Sequence, residues 1–393
     1  MYLALTDKQL ALREEIRDYF KDLITPEAEA EMSQEGGHGG PVTNKIRRQM
    51  GADGWLGVGW PKEYGGRDMT ALEQFIFFDE ANRAKAPLPF IALNTVGPTL
   101  MVYGTDEQKA RYLPKILSGE EDWAIGYTEP GSGTDLASLT TRAVRDGDSY
   151  VINGNKVFTS GADKVDYIWL AARTGRQEDR HRGISVFIVP TDTPGFRAVP
   201  LYTVGGGHTA FSFYEDVRVP AENLILGENQ GWKLITSQLN HERVSLAANS
   251  GRWFRAFDDT LAWARETKTA DGATVADLPW VQLLLGRAYA ITEAVRLLNW
   301  KMASALNAGT LTGADSSGAK VLGTEAHQEV ARLLLEVVGQ AGYLCEGSPG
   351  AVLKGRLEQE YRGAIVGTFG GGNNQIQREI MAWTGLKMPR GSR

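Results

Sequence analysis

A single cysteine, Cys345, in 393 residues excludes an intrachain disulfide and any cysteine-rich metal site. Histidine is nearly as scarce: five are scattered with no HExxH or similar spacing, so no metal centre is expected. No apolar run approaches the length needed to span a bilayer. Positive charge is not in excess either. The formal net charge of -6 gives no electrostatic reason to expect a nucleic-acid or membrane-surface partner. The opening stretch, MYLALTDKQLALREE, turns acidic and polar within a few residues and does not read as a signal peptide. Repeats and low-complexity tracts are also missing. These absences leave a soluble protein of a reducing compartment, expected in the cytoplasm.

What is present is enough for a sizeable core, as one large domain or as two or three packed units. The first third reads as helical. Thr6 to Gln9 is a capping-box pattern, followed by Leu12, Ile16, Tyr19, Phe20 and Leu23 at helical spacing. Further helices are predicted over roughly 70–83 and 90–117. Near Trp123 the pattern changes. SYVINGNKVFTS, YIWLAAR, GISVFIVP and AFSFYEDVRVP are short Val-, Ile-, Phe- and Tyr-rich runs separated by turn residues, the pattern of β strands. Asn153-Gly154 is a hairpin signal. After Asn229 helical periodicity returns, with a long helix from about Trp280 and another holding Val330, Leu334, Val337 and Val338. The predicted boundaries are 1–121, 122–227 and 228–393. A β unit between helical units buries its faces only if helices pack on it. A cleft where the units meet is a natural cofactor site.

Two local features point to chemistry. GYTEPGSGTDLASL, from Gly126, is dense in small residues and hydroxyls, so it can bring N–H and O–H groups against a polar ring or a phosphate. Gly131 and Gly133 lack the third glycine of a dinucleotide fingerprint, and no βαβ unit follows. Taken alone, the loop reads more readily as a turn-rich strand connection. The second feature is Glu242, seven residues after Ile235, three after Leu239 and four before Leu246, on a face shared with Trp232. A carboxylate among apolar neighbours has its charged form disfavoured, which raises its pKa toward the range useful to a base. The alternative for Glu242 is a surface carboxylate paired with Arg243 or Arg252.

The order of the pieces resembles the acyl-CoA dehydrogenase family over nearly the whole chain. GWPKEYGG at 59–66, GTDEQKARYLPKILSGE at 104–120, GYTEPGSGTDLASL followed by INGNKVFTSGADKVDYIWLAAR, FYEDVRVPAENLILGENQGW and NNQIQREIMAWTGL carry the resemblance. It implies a mostly α fold with a central β domain: an N-terminal helical domain, a middle β-barrel or sandwich, and a C-terminal four-helix bundle. It implies FAD as cofactor. Tyr127 and Thr128 would meet the flavin pyrimidine edge, with Gly133 in the same loop. Thr134 would lie near the flavin phosphate and the acyl-CoA path. Phe158 stands where the family usually has a tryptophan packed on the flavin, and Ser160 where it has a threonine near flavin N5. Phe158 also reads as plain β-core packing.

In many members the catalytic carboxylate lies in the closing motif, at the position of Gly371. Here that stretch is TFGGGNNQ, without an acid. A subset of the family carries the base on the helix opening the last domain, and Glu242 matches that position, followed by Arg243. The implied reaction removes the proton α to a thioester while a hydride leaves the β carbon for the flavin. Asn240, Arg243, Thr134, Gly370 and Gly371 would meet the acyl-CoA. The three glycines permit a wide ligand to approach, although a helix entry needing unusual backbone angles explains them equally. The detailed pattern is most similar to actinobacterial subunits acting on steroid side-chain CoA thioesters.

Two family features are missing. RETKTADGATVADLP at 265–279 replaces an Arg-x-x-Phe-Gly stretch that reaches the neighbouring subunit's flavin, and EVVGQAG at 336–342 places Glu336 where a glutamine is usual. Both concern what a subunit lends its neighbour. The expectation is therefore a heterotetramer with a paralogous chain, with electron-transfer flavoprotein as acceptor. A flavin oxidase or monooxygenase-like relative on the same fold, or a non-catalytic subunit, are the competing readings.

Overall fold

The computed structural model describes residues 4–35, 39–241 and 250–389. The chain runs through helices α1 (Asp7–Leu23), α2 (Pro26–Gln34), α3 (Pro41–Ala52), α4 (Ala71–Arg83), α5 (Gly97–Tyr103) and α6 (Asp106–Leu117). Strands follow: β1 (Trp123–Gly126), β2 (Arg142–Asp146), β3 (Ser149–Lys156), β4 (Tyr167–Arg173), β5 (Ile184–Pro190), β6 (Phe196–Tyr202), β7 (His208–Pro220) and β8 (Leu224–Ile225). Helices return as α7 (Gly231–His241), α8 (Ser250–Glu266), α9 (Pro279–Asn307), α10 (Gly313–Val338), α11 (Arg356–Ala364) and α12 (Asn374–Ile380).

The expected capping box forms: the Thr6 hydroxyl accepts from Gln9 N–H, and the Gln9 side chain accepts from Thr6 N–H. Thr70 with Glu73, Thr105 with Gln108 and Thr312 with Asp315 start α4, α6 and α10 in the same way. The Thr105 box also explains why the predicted 90–117 helix is broken. A π-helical turn, Ala92–Val96, precedes α5, and the chain restarts after Gly104.

The strands hydrogen-bond in the order β6-β7-β3-β2-β4-β5-β8, with β1 parallel to β4. Strands β4 and β5 are buried on both faces, and alternation explains how. Trp169, Ala171, Val186 and Ile188 join Phe75, Phe77 and Leu100 of the N-terminal helices, with Leu234 and Ile235 of α7, in one core. Ile168, Leu170, Phe187 and Val189 face a second core with Tyr150, Tyr214 and Val217, around which the sheet wraps. A third core binds α8, α9, α10 and α11 through Phe257, Leu285, Leu334 and Leu357. Each large aliphatic side chain so buried contributes about 1.5–3 kcal/mol.

Asn153-Gly154 is not a turn. Strand β3 runs through it with a bulge, since the register with β7 shifts between Ile152 and Gly154. Gly154 has φ +146°, and a Cβ there would lie 2.6 Å from Thr141 Oγ1. The hairpin closes instead at Gly147, between β2 and β3. The dipeptide meets the backbone requirement of a bulge as well as that of a turn.

Ion pairs tie the two helical parts together. Glu29 accepts from Lys85 at 2.8 Å and from Arg255 at 2.5 Å, so α2, the end of α4 and α8 share one carboxylate. Within the N-terminal helices, Arg17 of α1 grips Glu80 of α4 through two nitrogens at 2.8 and 2.9 Å. Among the described residues, no helix is long and apolar enough to cross a membrane, and no cluster of His, Cys, Asp or Glu could hold a metal ion.

Candidate active site

The loop that follows β1 is anchored from below by buried charge. Lys156, the last residue of β3, is fully buried, and its Nζ donates to Glu129 Oε1 at 2.8 Å and to the Tyr127 carbonyl at 3.1 Å. Glu129 also accepts from Thr140 N–H and Oγ1, both at 2.7 Å, and from Thr141 N–H at 2.8 Å. Burial alone raises a carboxyl, but the Lys156 ammonium and these donors outweigh it and hold Glu129 down at about 2. Burial brings Lys156 down to about 8 against the opposing pull of Glu129. The next stretch is held by Arg173, also buried, which donates to the carbonyls of Ala137 (2.8 Å), Leu139 (2.9 Å) and Arg180 (2.9 Å).

Above this floor the sequence-predicted residues collect. Thr128 accepts at its carbonyl from Val157 N–H at 2.9 Å, which sets Thr128 beside Phe158. A Cβ on Gly133 would sit 3.9 Å from Thr128 Cγ2, so the far side of the loop folds back over the same point. Gly133 and Thr134 are exposed. Ser160 shares a hydroxyl contact with Thr209 at 3.0 Å. Phe158 does not pack in the β core. It is 61% exposed and holds φ +61°, a conformation bulky residues rarely adopt, while Val157 and Thr159 on either side are buried. The strand ends by rolling this ring outward.

The Tyr127 hydroxyl donates to Gln238 Oε1 at 2.5 Å and accepts from Trp169 Nε1 at 3.1 Å. This joins the loop to α7. On α7, Gly231, Leu234, Ile235 and Gln238 are buried, and half-buried Trp232 packs on the same core as Ile235 and tilts against His181. Beside these two residues of the predicted stripe lies a buried polar group, Gln238, that periodicity does not single out. Gln238 Nε2 is buried and has no partner among the described residues. Asn240 falls within α7; Glu242, Arg243 and Leu246 lie outside the described residues.

Gly370 and Gly371 lie in the turn before α12, on α10's side of the molecule. Lys320 reaches the Gly372 carbonyl, and it donates to Asn374 Oδ1 at 2.7 Å. Burial brings Lys320 down to about 8. Gly371 has φ +65°, and a Cβ there would meet nothing within 4 Å. No hydrogen bond or ion pair among the described residues joins this turn to the Tyr127–Phe158 cluster. Glu336 forms an ion pair with Arg332 one turn earlier on α10. The 265–279 segment is a tight reversal, with Lys268 Nζ donating to Thr274 Oγ1 at 2.6 Å.

Sequence reading missed Glu129, Lys156, Arg173 and Gln238. Each has a polar residue beside it (Thr128, Asn155, Thr174 and Ser237), so no local pattern marks them.

Three family models match in chain order: acyl-CoA dehydrogenase N-terminal domain over residues 6–120, middle domain over 124–214 and C-terminal domain over 229–386. The chain belongs to the acyl-CoA dehydrogenase family and is an acyl-CoA dehydrogenase, with the family's helical, β and helical architecture. It is 49% identical to acyl-CoA dehydrogenase FadE26 of Mycobacterium tuberculosis, with all of both chains covered, and 47% identical to FadE29 of the same organism, with 99% of each covered. Among solved structures, the ChsE4-ChsE5 complex from Mycobacterium tuberculosis has a chain that matches with TM-score 0.93 and 48% identity, covering all of both chains. A chain of the Tcur3481-Tcur3483 steroid ACAD matches with TM-score 0.94 and 52% identity, again over all of both.

Proposed function

We propose that this chain carries out FAD-dependent α,β-dehydrogenation of a bulky acyl-CoA, a steroid side-chain thioester in particular, to the 2,3-enoyl-CoA. The observation that carries the flavin reading is Phe158. An exposed aromatic ring held at positive φ is strained backbone with little packing reward among the described residues. A flat ring stacked on it would supply that reward. The surrounding donors fit such a ring. Thr128 N–H has no partner among the described residues, Gln238 Nε2 is buried without one, and the Gly131 and Gly133 positions leave room for close approach. Tyr127, Thr128, Gly133 and Thr134 would hold FAD along its polar edge and phosphate, with Phe158 as wall and Ser160 as hydroxyl donor. FAD, when bound, supplies the acceptor for the hydride from the β carbon.

The chain's own part is proton removal and orientation. Glu242 takes the α proton, with Arg243 beside it in sequence. Its place four residues after buried Gln238 and seven after buried Ile235 supports a dry setting, which keeps the carboxylate basic enough to act. Asn240, Thr134 and Arg243 orient the thioester, and the side-chain-free Gly370 and Gly371 admit its bulk. The domains are read as 1–121, 122–227 and 228–393.

The subunit partner is a paralogous acyl-CoA dehydrogenase chain, in a heterotetramer with fewer flavins than chains. The Arg332–Glu336 pair and the short 265–279 reversal support this, because both occupy places where a homotetramer lends flavin contacts. The similarity to chains of the ChsE4-ChsE5 and Tcur3481-Tcur3483 complexes supports it too. Electron-transfer flavoprotein is the acceptor and the cytoplasm the location. Co-expression with a paralogous chain, then assay against CoA thioesters from short-chain to steroidal, tests the reading. Bulky thioesters should be dehydrogenated by a flavin-containing complex. A complex without flavin, or one specific for short straight chains, would overturn it.

A further inference from the structure

The Tyr127–Glu129 turn is fastened at three consecutive residues by Lys156 and Val157, at and just past the end of β3. Lys156 Nζ takes the Tyr127 carbonyl at 3.1 Å, Val157 N–H takes the Thr128 carbonyl at 2.9 Å, and Lys156 Nζ takes the Glu129 carboxylate at 2.8 Å. Glu129 N–H is used within the loop, donating to the Ser132 carbonyl at 2.9 Å. Thr128 N–H is left over, with no partner among the described residues. A trans peptide places its C=O and N–H on opposite sides, and no peptide here is cis. Fixing the Tyr127 carbonyl inward therefore fixes the Thr128 N–H outward.

We propose that Lys156 is a positioning residue for the cofactor: its buried ammonium, by holding the Tyr127 carbonyl, presets the Thr128 N–H as a donor to the flavin's polar edge. This rests on the flavin reading given above. A neutral side chain at 156 could fill the volume, but it would leave the peptide free to flip and lose the donor. Paired buried charges are poor stabilisers relative to apolar residues of the same shape. Lys156 is thus better explained by what it orients than by stability. Its charge has a second effect. Lys156 and Arg173 lie under the loop against a single buried carboxylate, Glu129, and Arg173 has no carboxylate partner among the described residues. The floor is net positive, and fixed positive charge favours electron density gathering on a ring above it.

The test uses the full chain co-purified with its paralogous partner. Lys156→Met leaves Glu129 buried and unpaired, so it is read beside Glu129→Gln/Lys156→Met, which neutralises both. Each variant should bind FAD at least tenfold more weakly than wild type, with a shifted visible spectrum. The flavin reduction potential should fall in Lys156→Met, which removes net positive charge, and change less in the double variant, which does not. A folded double variant with wild-type affinity and spectrum overturns the proposal. Hydrogen exchange on the wild-type complex gives a result that does not depend on any variant folding. The Thr128 amide should exchange freely without FAD and be protected with it; equal exchange in both states overturns the proposal. A wild-type complex that binds no FAD at all fails the flavin reading itself, which separates the two outcomes.

Discussion

The Tyr127 hydroxyl and the Gln238 side chain meet at 2.5 Å, and this bond couples the loop after β1 to the helix that leads toward Glu242. The same hydroxyl is the acceptor for Trp169 Nε1 on β4. One phenol oxygen thus fixes the relative placement of sheet, loop and helix at the candidate site.

Tyr127→Phe should therefore do more than remove one bond. It leaves the buried Trp169 N–H without its acceptor and the Gln238 carbonyl oxygen without its donor. The expected loss is about 1–3 kcal/mol of folding stability, read as a lower urea midpoint, together with weaker flavin retention. Unchanged stability and flavin content would show the bond to be idle.

Acid should loosen the fold in a defined window. Glu29, despite burial that alone would raise it, is brought to about 2 by Lys85 and Arg255, and Glu129 is held at about 2 by Lys156 and its donors. Both values lie below the ordinary 4.5, so the native state binds fewer protons than the unfolded one. Their stabilisation is complete above that ordinary value and is lost as pH falls from it toward 2. Lys156 works at the other end: its value of about 8 lies below the ordinary 10.5, so stability gains as pH climbs between the two. Denaturant midpoints across this range check both signs, and Glu29→Gln should flatten the acid limb.

The bulge in β3 gives a backbone prediction. Gly154→Ala places a Cβ against Thr141 at a φ that L-residues avoid, at a cost of about 1–3 kcal/mol. A thermal melt equal to wild type would mean that the strand relaxes without penalty.

Subunit composition provides a fourth prediction. Purified alone, the chain should hold far less than one FAD per subunit, and a paralogous partner should raise the occupancy. Full occupancy in a homo-oligomer contradicts the heteromer.

The sequence made some of this legible and not the rest, for physical reasons. Strands β4 and β5 were clear because YIWLAAR and ISVFIVP bury both faces and so read as continuous apolar runs. The 90–117 helix was read as unbroken because a π turn and a fresh capping box preserve much of the helical spacing. Asn153-Gly154 misled because a bulge and a hairpin turn both favour glycine at positive φ. In the site, Thr128 and Phe158 could be assigned from the family resemblance, but the outward roll of Phe158 follows from a φ that no residue pattern announces. Lys156, Glu129, Arg173 and Gln238 were missed because their partners are distant in sequence. Lys156 finds Glu129 across 27 positions and Gln238 finds Tyr127 across 111. Pairings of that range carry no local periodicity.

Glu242 is best judged by mixing Glu242→Gln anaerobically, in its flavin-loaded complex, with a bulky acyl-CoA and following the flavin's visible absorbance. Fold, flavin content and thioester binding should match wild type while bleaching slows by about 10²–10⁴-fold or more, the range that loss of a positioned base produces. Bleaching at the wild-type rate would show that another group removes the α proton.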